Sequence, residues 1–185
     1  AVDWAKDHAA AVLEAWYPGE EGGAAIADTL AGDNNPAGRL PITFYTGTKE
    51  LPPFDDYSMA KRTYRYFTGT TLWGFGYGLS YSTFKYGPVK LSTETLKAGE
   101  PLTATVTVTN ESKMAGDEVV EAYLKSPAPD AAIHSLAGFE RIHLAAGASR
   151  QVTLKIDPRS ISVVDENGNR SIVPGKYSLS VGGAQ

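Results

Sequence analysis

Between Leu102 and Thr109, apolar and threonine side chains alternate without a break: Leu102, Ala104, Val106 and Val108 interleave with Thr103, Thr105, Thr107 and Thr109. A period of two belongs to a strand, whose successive side chains point to opposite faces, so this stretch predicts a half-buried strand with one threonine face. One strand requires others, because its backbone donors and acceptors need partners. Val119–Leu124, Gln151–Ile156 and Tyr177–Val181 are the further candidates, with Asn110, Gly147, Asn167-Gly168 and Pro174-Gly175 as turns between them. Several strands at this spacing, within about a hundred residues, predict a small β-sandwich.

Before Pro88 the pattern differs. Up to Ala31 the chain is rich in alanine, and Ala9, Val12, Leu13 and Trp16 fall at helical spacing. They predict a helix with one apolar face, broken by Pro18 and Gly19. Glu20 and Glu21 predict the start of a second short helix, where acidic side chains meet the positive end of the dipole, with Ile26 and Leu30 as its apolar contacts. Asp33 to Gly38 reads as a turn, Leu40 to Tyr45 as a strand, and Arg62 to Phe67 as a tyrosine-rich β-like stretch. Helix, turn and strand in this order suit an α/β layer but are too few to close a sheet. Gly69, Gly74, Gly76 and Gly78 then interleave with Trp73, Phe75 and Tyr77, so the chain can turn sharply while large rings stay anchored. The fold class read from this pattern is mixed: an incomplete α/β segment at residues 1–60, an aromatic and glycine-rich joining segment at 61–87, and an all-β, immunoglobulin-like sandwich at 88–185. A joining segment of this composition predicts a fixed interface, not a loose tether.

Composition narrows the function. Of the 185 residues 42% are hydrophobic, enough for a packed core, and 17 basic side chains face 21 acidic ones. The resulting net charge of −4 argues against nucleic acid, whose phosphates require a basic surface. No stretch reaches the length of a membrane span. The absence of cysteine excludes disulfides and thiolate metal sites. His8, His134 and His143 lack metal-site spacing, and Asp165, Asn167 and Asn169 lack the glycine position and closing glutamate of a calcium loop, so no metal or other cofactor is expected. Gly74, Gly76 and Gly78 do not open a helix after a strand, as a dinucleotide loop must. Asn110-Glu111-Ser112 and Asn169-Arg170-Ser171 match the N-glycosylation pattern. No signal-peptide pattern is visible; Ala1 is not methionine and the chain starts inside a helical pattern, so a cut or processed product is expected, and a secreted or periplasmic setting is compatible with it.

Three groups of residues carry a resemblance. Ala15-Trp16-Tyr17-Pro18-Gly19-Glu20-Glu21-Gly22-Gly23 continues into Ala27 to Asp33 and Asn35-Pro36-Ala37-Gly38-Arg39-Leu40-Pro41. Arg62-Thr63-Tyr64-Arg65-Tyr66-Phe67 leads to Phe75-Gly76-Tyr77-Gly78-Leu79-Ser80-Tyr81 and Phe84. Leu136-Ala137-Gly138-Phe139-Glu140-Arg141, Pro174-Gly175-Lys176-Tyr177 and Val181-Gly182 close the series. In this order, over nearly the whole chain, they resemble glycoside hydrolase family 3, the β-glucosidase and β-xylosidase group. The resemblance implies a catalytic barrel, an α/β sandwich domain and a fibronectin type III-like domain, of which this chain matches the end of the second and all of the third. It also implies a retaining mechanism, with an aspartate nucleophile on the barrel and a glutamate acid/base earlier in the α/β domain. Both positions fall before Ala1, so no catalytic residue is expected here. A retaining glycosidase needs its two carboxyls about 5 Å apart, and a chain without them is expected to be inert. The implied partners are the upstream catalytic barrel and the remainder of the α/β domain, in the same chain or as a separate chain, and a β-glucoside or β-xyloside in the intact enzyme.

Asp55 and Asp56, in a proline-flanked loop, and the rings of Trp16 and Tyr17 are the candidates for the rim of a sugar site, because loops carry function and rings offer sugars a broad apolar face. Solvated charge and interface packing are the plainer readings of the same residues. Trp73, Phe75, Tyr77, Arg62 and Arg65 are candidates for the interface between the two parts, the arginines through forked contacts to carboxylates or carbonyls. Glu20 and Glu21 would point about 100° apart on a helix and do not form a catalytic pair. Two other functions stay open. Exposed rings on a β-sandwich would make a carbohydrate-binding module. Bare apolar faces near Ala9, Val12, Ile26 and the Leu40 strand would make an interaction domain able to form a homodimer.

Overall fold

The computed structural model describes residues 2–183. Asp3–His8 form α1 and Gly22–Ala31 form α2, followed by β1 (Phe44–Tyr45), α3 (Thr63–Tyr66) and β2 (Thr71–Trp73). The sandwich follows as β3 (Phe84–Tyr86), β4 (Lys90–Leu91), β5 (Leu102–Asn110), β6 (Gly116–Lys125), β7 (Ser135–Leu144) and β8 (Ser149–Ile156). It closes with α4 (Pro158–Ile161), β9 (Val163–Val164), β10 (Arg170–Ser171) and β11 (Ser178–Gly182). A mixed α/β segment thus precedes an all-β sandwich.

The alternating stretch is β5. Leu102, Ala104, Val106, Val108 and Asn110 are buried, while its threonines face outward. One edge pairs with β3 and β4, the other with β8, all antiparallel. On the outer face Thr105 meets Thr153 at 3.1 Å between hydroxyls, and Thr109 meets Ser149 at 2.7 Å, cross-strand pairs that pin the register. The second sheet has the order β11-β6-β7. The inner faces share one core containing Val106, Val108, Val120, Ile142, Val152 and Ile156.

Strand β6 breaks the rule of one wet face. Every residue from Val120 to Leu124 is buried. Val120, Ala122 and Leu124 enter the core; Glu121 and Tyr123 point the other way, beneath the segment that carries Tyr64, Phe75 and Gly76.

The first third of the chain departs from the expected pattern. The helix expected over Ala9 to Trp16 does not form: α1 stops at His8, Ala9 is extended, and Trp16 has φ of 51°. A six-residue helix without a side-chain cap lies below the length at which propensity sustains a helix, and stability must come from packing. Val12, Leu13 and Trp16 are each about half exposed, so that packing is missing. Helix α2 begins directly after Glu21 and ends on Gly32, whose φ of 87° lets its N–H reach back to the last turn. The strand expected from Leu40 shrinks to Phe44 and Tyr45, which pair with β2. The β-like stretch at Arg62 to Phe67 is a single helical turn, α3. The Thr63 N–H donates to the Tyr45 hydroxyl at 2.6 Å and Phe67 N–H closes on Thr63 O at 2.9 Å. Asn110 is fully buried and donates to Met114 O and Leu144 O, so the folded chain offers no glycosylation acceptor there.

Candidate functional site

The α/β segment, the joining segment and the sandwich meet around Arg39. Leu40 N–H donates to Tyr77 O at 2.9 Å and Gly76 N–H donates to Leu40 O at 2.8 Å, a short ladder that lays the joining segment along the chain leaving Arg39. The guanidinium then reaches across: Nη1 donates to Gly78 O at 3.0 Å and Nη2 to Glu118 Oε2 at 2.5 Å. Glu118 is 3% exposed and shares the Val120 face of β6 at the edge of the core, where the Tyr86 hydroxyl from the opposite sheet donates to its Oε1 at 2.6 Å. A buried carboxylate is tolerable only with such a set of charge-assisted partners. Burial, with Glu118 beside it, pushes the Tyr86 phenol far above its usual range, so it remains a donor.

Glu121, on the other face, has weaker support. Its Oε2 accepts from the Tyr123 hydroxyl at 2.8 Å. Burial pushes its carboxyl above the usual range, opposed by that hydroxyl and by the Arg39 charge. Gly76 lies against this pair with φ of 78°, where a Cβ would overlap the Glu121 carboxylate and the Tyr123 hydroxyl. Asn35 ties a second thread: its carbonyl accepts from Ser80 Oγ and Tyr81 N–H, and its amide donates to Ser82 Oγ and to Ala115 O. Rings complete the contact. Phe75 stacks on Tyr64 at 4.2 Å between centroids and meets Tyr123 edge-on at 6.4 Å, and the Tyr64 hydroxyl accepts from Leu136 N–H.

The other candidates fall elsewhere. Trp73 lies in β2 with its ring edge-on to Phe44, and Tyr77 serves the junction through its carbonyl while its ring lies at the surface. Arg65 lies over the ring of Tyr66, and its carbonyl, not its guanidinium, contacts the sandwich through Ile133 N–H. Arg62 holds the preceding loop by donating to Pro53 O, Asp56 O and Ser58 O. Asp55 is exposed; Asp56 walls a groove of about 690 Å³ and accepts from Ser58 N–H, which holds its carboxyl below the usual range. Tyr17 is fully exposed and Trp16 half exposed near Phe44, apart from the junction. The two buried carboxylates of β6 are held by these partners, Glu118 by Arg39 and Tyr86 and Glu121 by Tyr123. Among the described residues no group of three His, Asp or Glu side chains can hold a metal, and no helix is long and apolar enough to cross a membrane.

Residues 1–81 match the glycosyl hydrolase family 3 C-terminal domain, and residues 118–185 match a fibronectin type III-like domain. The chain belongs to glycoside hydrolase family 3. A xylan 1,4-β-xylosidase of Xylanibacter ruminicola is 42% identical over 174 residues, covering 93% of this chain and 20% of that protein. A periplasmic β-glucosidase of Salmonella typhimurium is 37% identical over 186 residues, covering 93% of this chain and 24% of that protein. The crystal structure of a β-glucosidase from Listeria innocua in complex with gluconolactone superposes with a TM-score of 0.83 at 30% identity, over 99% of this chain and 27% of that one. The chain therefore spans about a fifth to a quarter of the length of these relatives.

In this family 3 chain the segments that carry the resemblance are also the ones that build the junction: Asn35 and Arg39 from the first, Tyr64 and Phe75 to Gly78 from the second, Leu136 from the third. Sequence reasoning passed over Glu118, Glu121, Tyr86 and Tyr123. The available signal was a pair of glutamates inside an apolar strand, since a carboxylate in such a run must find a buried partner.

Proposed function

We propose that this chain is the C-terminal portion of a retaining β-glycosidase that hydrolyses β-glucosides or β-xylosides, and that it supplies architecture to that enzyme without supplying either reacting carboxyl. Residues 61–87 act as a clamp that holds a fibronectin-like domain at 88–185 against the end of an α/β domain at 1–60. The observation that carries this reading is the double burial of β6, one face by the core and the other by the joining segment, with Arg39 and Glu118 paired beside it. A strand covered on both faces fixes the orientation of the two parts, and small displacements at a catalytic site are costly in rate. The upstream barrel and the rest of the α/β domain are its partners. Trp16, Tyr17, Asp55 and Asp56 belong in this reading to the substrate side of the enzyme.

The chain alone, assayed with aryl β-glucoside and aryl β-xyloside, is expected to show no turnover above a matched blank, while the full-length enzyme turns over one or both. Covalent sugar on any carboxylate of the short chain would overturn this reading. Arg39→Ala in the full-length enzyme is expected to lower kcat more than it raises KM, because the residue positions a domain and touches no substrate.

A further inference from the structure

Glu121 is the least supported carboxylate on the contact between the joining segment and the sandwich. It is 4% exposed, and among the described residues the Tyr123 hydroxyl is the one donor it accepts from. Glu118, on the other face of β6, has two partners, one of them the Arg39 cation. A buried carboxylate with a single neutral donor is disfavoured in its charged form. The groups around Glu121 do little to offset that. Arg39 commits Nη1 to Gly78 O and Nη2 to Glu118, and its Nε is buried with no acceptor. Glu118 adds a like charge. Across the strand pairs, Phe139 of β7 and Gly182 of β11 bring no charge. His134 meets the Tyr123 ring edge-on at 5.6 Å and lies 5.4 Å from the Tyr64 ring, with the Lys125 charge acting on it. The contact thus holds an acceptor short of donors and a donor without an acceptor. An ionised Glu121 needs a second donor, from Arg39 Nε or from water. Gly76 lies directly against the carboxylate, so close that a Cβ would overlap it. Supplying the donor therefore requires the carboxylate or the Gly76 backbone to move.

We propose that Glu121 is a pH-operated latch on this junction: protonated, it lets the joining segment close on β6; ionised, it displaces Gly76 and loosens the segment while the sandwich stays folded. The latch depends on the junction alone and not on the glycosidase reading. Its direction follows from burial, which raises the carboxyl against the pull of Tyr123 and Arg39, so the closed form is held at low pH and lost as pH rises through the raised value. His134 has the opposite sense: burial, then Lys125, keep it neutral, and it would charge on the acid side. Amide exchange of the 185-residue chain by NMR, from about pH 4 to about pH 8 and corrected for the intrinsic pH dependence of exchange, tests the latch. The reporters are Gly76 N–H, bonded to Leu40 O, and Leu136 N–H, bonded to the Tyr64 hydroxyl. Their protection should fall at least about tenfold relative to the β5 amides, at the pH where the Glu121 carboxyl titrates in carbon-13 spectra. Glu121→Gln, whose amide still accepts from Tyr123, should abolish the fall. Tyr123→Phe, which removes the one donor to the ionised form, should move it to higher pH, and His134→Gln should leave it in place. No fall, an equal fall in β5, an unchanged fall in Glu121→Gln, its loss in His134→Gln, a shift to lower pH in Tyr123→Phe, or a carboxyl that titrates away from the fall would each overturn the proposal.

Discussion

Arg39 has the most to lose among single residues. It is the cation facing Glu118, which is 3% exposed, and removing one partner of a buried pair leaves the other charge stranded. Arg39→Ala is therefore expected to cost about 3–5 kcal/mol in denaturant unfolding. Adding Glu118→Gln should recover part of that loss, because the amide still accepts from Tyr86 and carries no charge; a double variant as unstable as the single one would refute the charge account. Glu121 sets a different pH dependence. Its carboxyl is raised in the folded state above 4.5, so between the two values the folded chain holds more protons than the unfolded one. Stability from this group is present at low pH and falls as pH rises through that window. Glu121→Gln should gain stability relative to the parent chain as pH goes from about 4 to about 7, read by urea midpoints. Asp117 works in the opposite sense: His143 Nδ1 at 2.7 Å, then Arg141, lower its carboxyl, so its contribution is lost as pH falls.

At the scale of elements, burial decides which substitutions matter. Ile156 on β8 is fully buried in the shared core, and Ile156→Ala is expected to cost about 2–5 kcal/mol, whereas Phe139→Ala on the exposed side of β7 should change the unfolding midpoint little. The strands most legible in the sequence are those whose two faces differ: β5 and β8 alternate, and their register follows. Strand β7 escaped notice because Gly138 and the charged pair Glu140-Arg141 interrupt any apolar run, and its order comes from pairing along β6. Helical spacing at Ala9 to Trp16 misled because spacing specifies a face but supplies no partner for it. At Arg62 to Phe67, tyrosine content favoured a strand, yet local hydrogen bonds to Tyr45 and to the preceding loop impose one helical turn. The alternation of rings and glycines drew attention to Phe75 but not to the strand it meets, and the Arg39–Glu118 pair joins residues 79 apart, beyond the reach of any local pattern.

Across the whole molecule the distribution of burial is lopsided. The largest fully buried side chains all lie between Val106 and Ile156, while Trp4, Tyr17, Leu30, Phe54 and Tyr57 are at least two-thirds exposed. The protein is thus a closed sandwich carrying an open layer, and the two should differ in local stability. Amide exchange depends on the contacts that must break for each group to open, and an element with few buried contacts opens without global unfolding. In the isolated chain, amides of β5, β6 and β8 should therefore exchange slowest, and those of α1 and α2 orders of magnitude faster. Exposed apolar side chains on the layer should also drive concentration-dependent self-association, a homodimer visible by light scattering. If the layer's natural cover is the rest of a family 3 enzyme, the full-length protein should slow exchange across residues 2–62, leave the sandwich amides unchanged and abolish that association. Equal exchange in both forms would mean that the exposed rings are a surface in their own right.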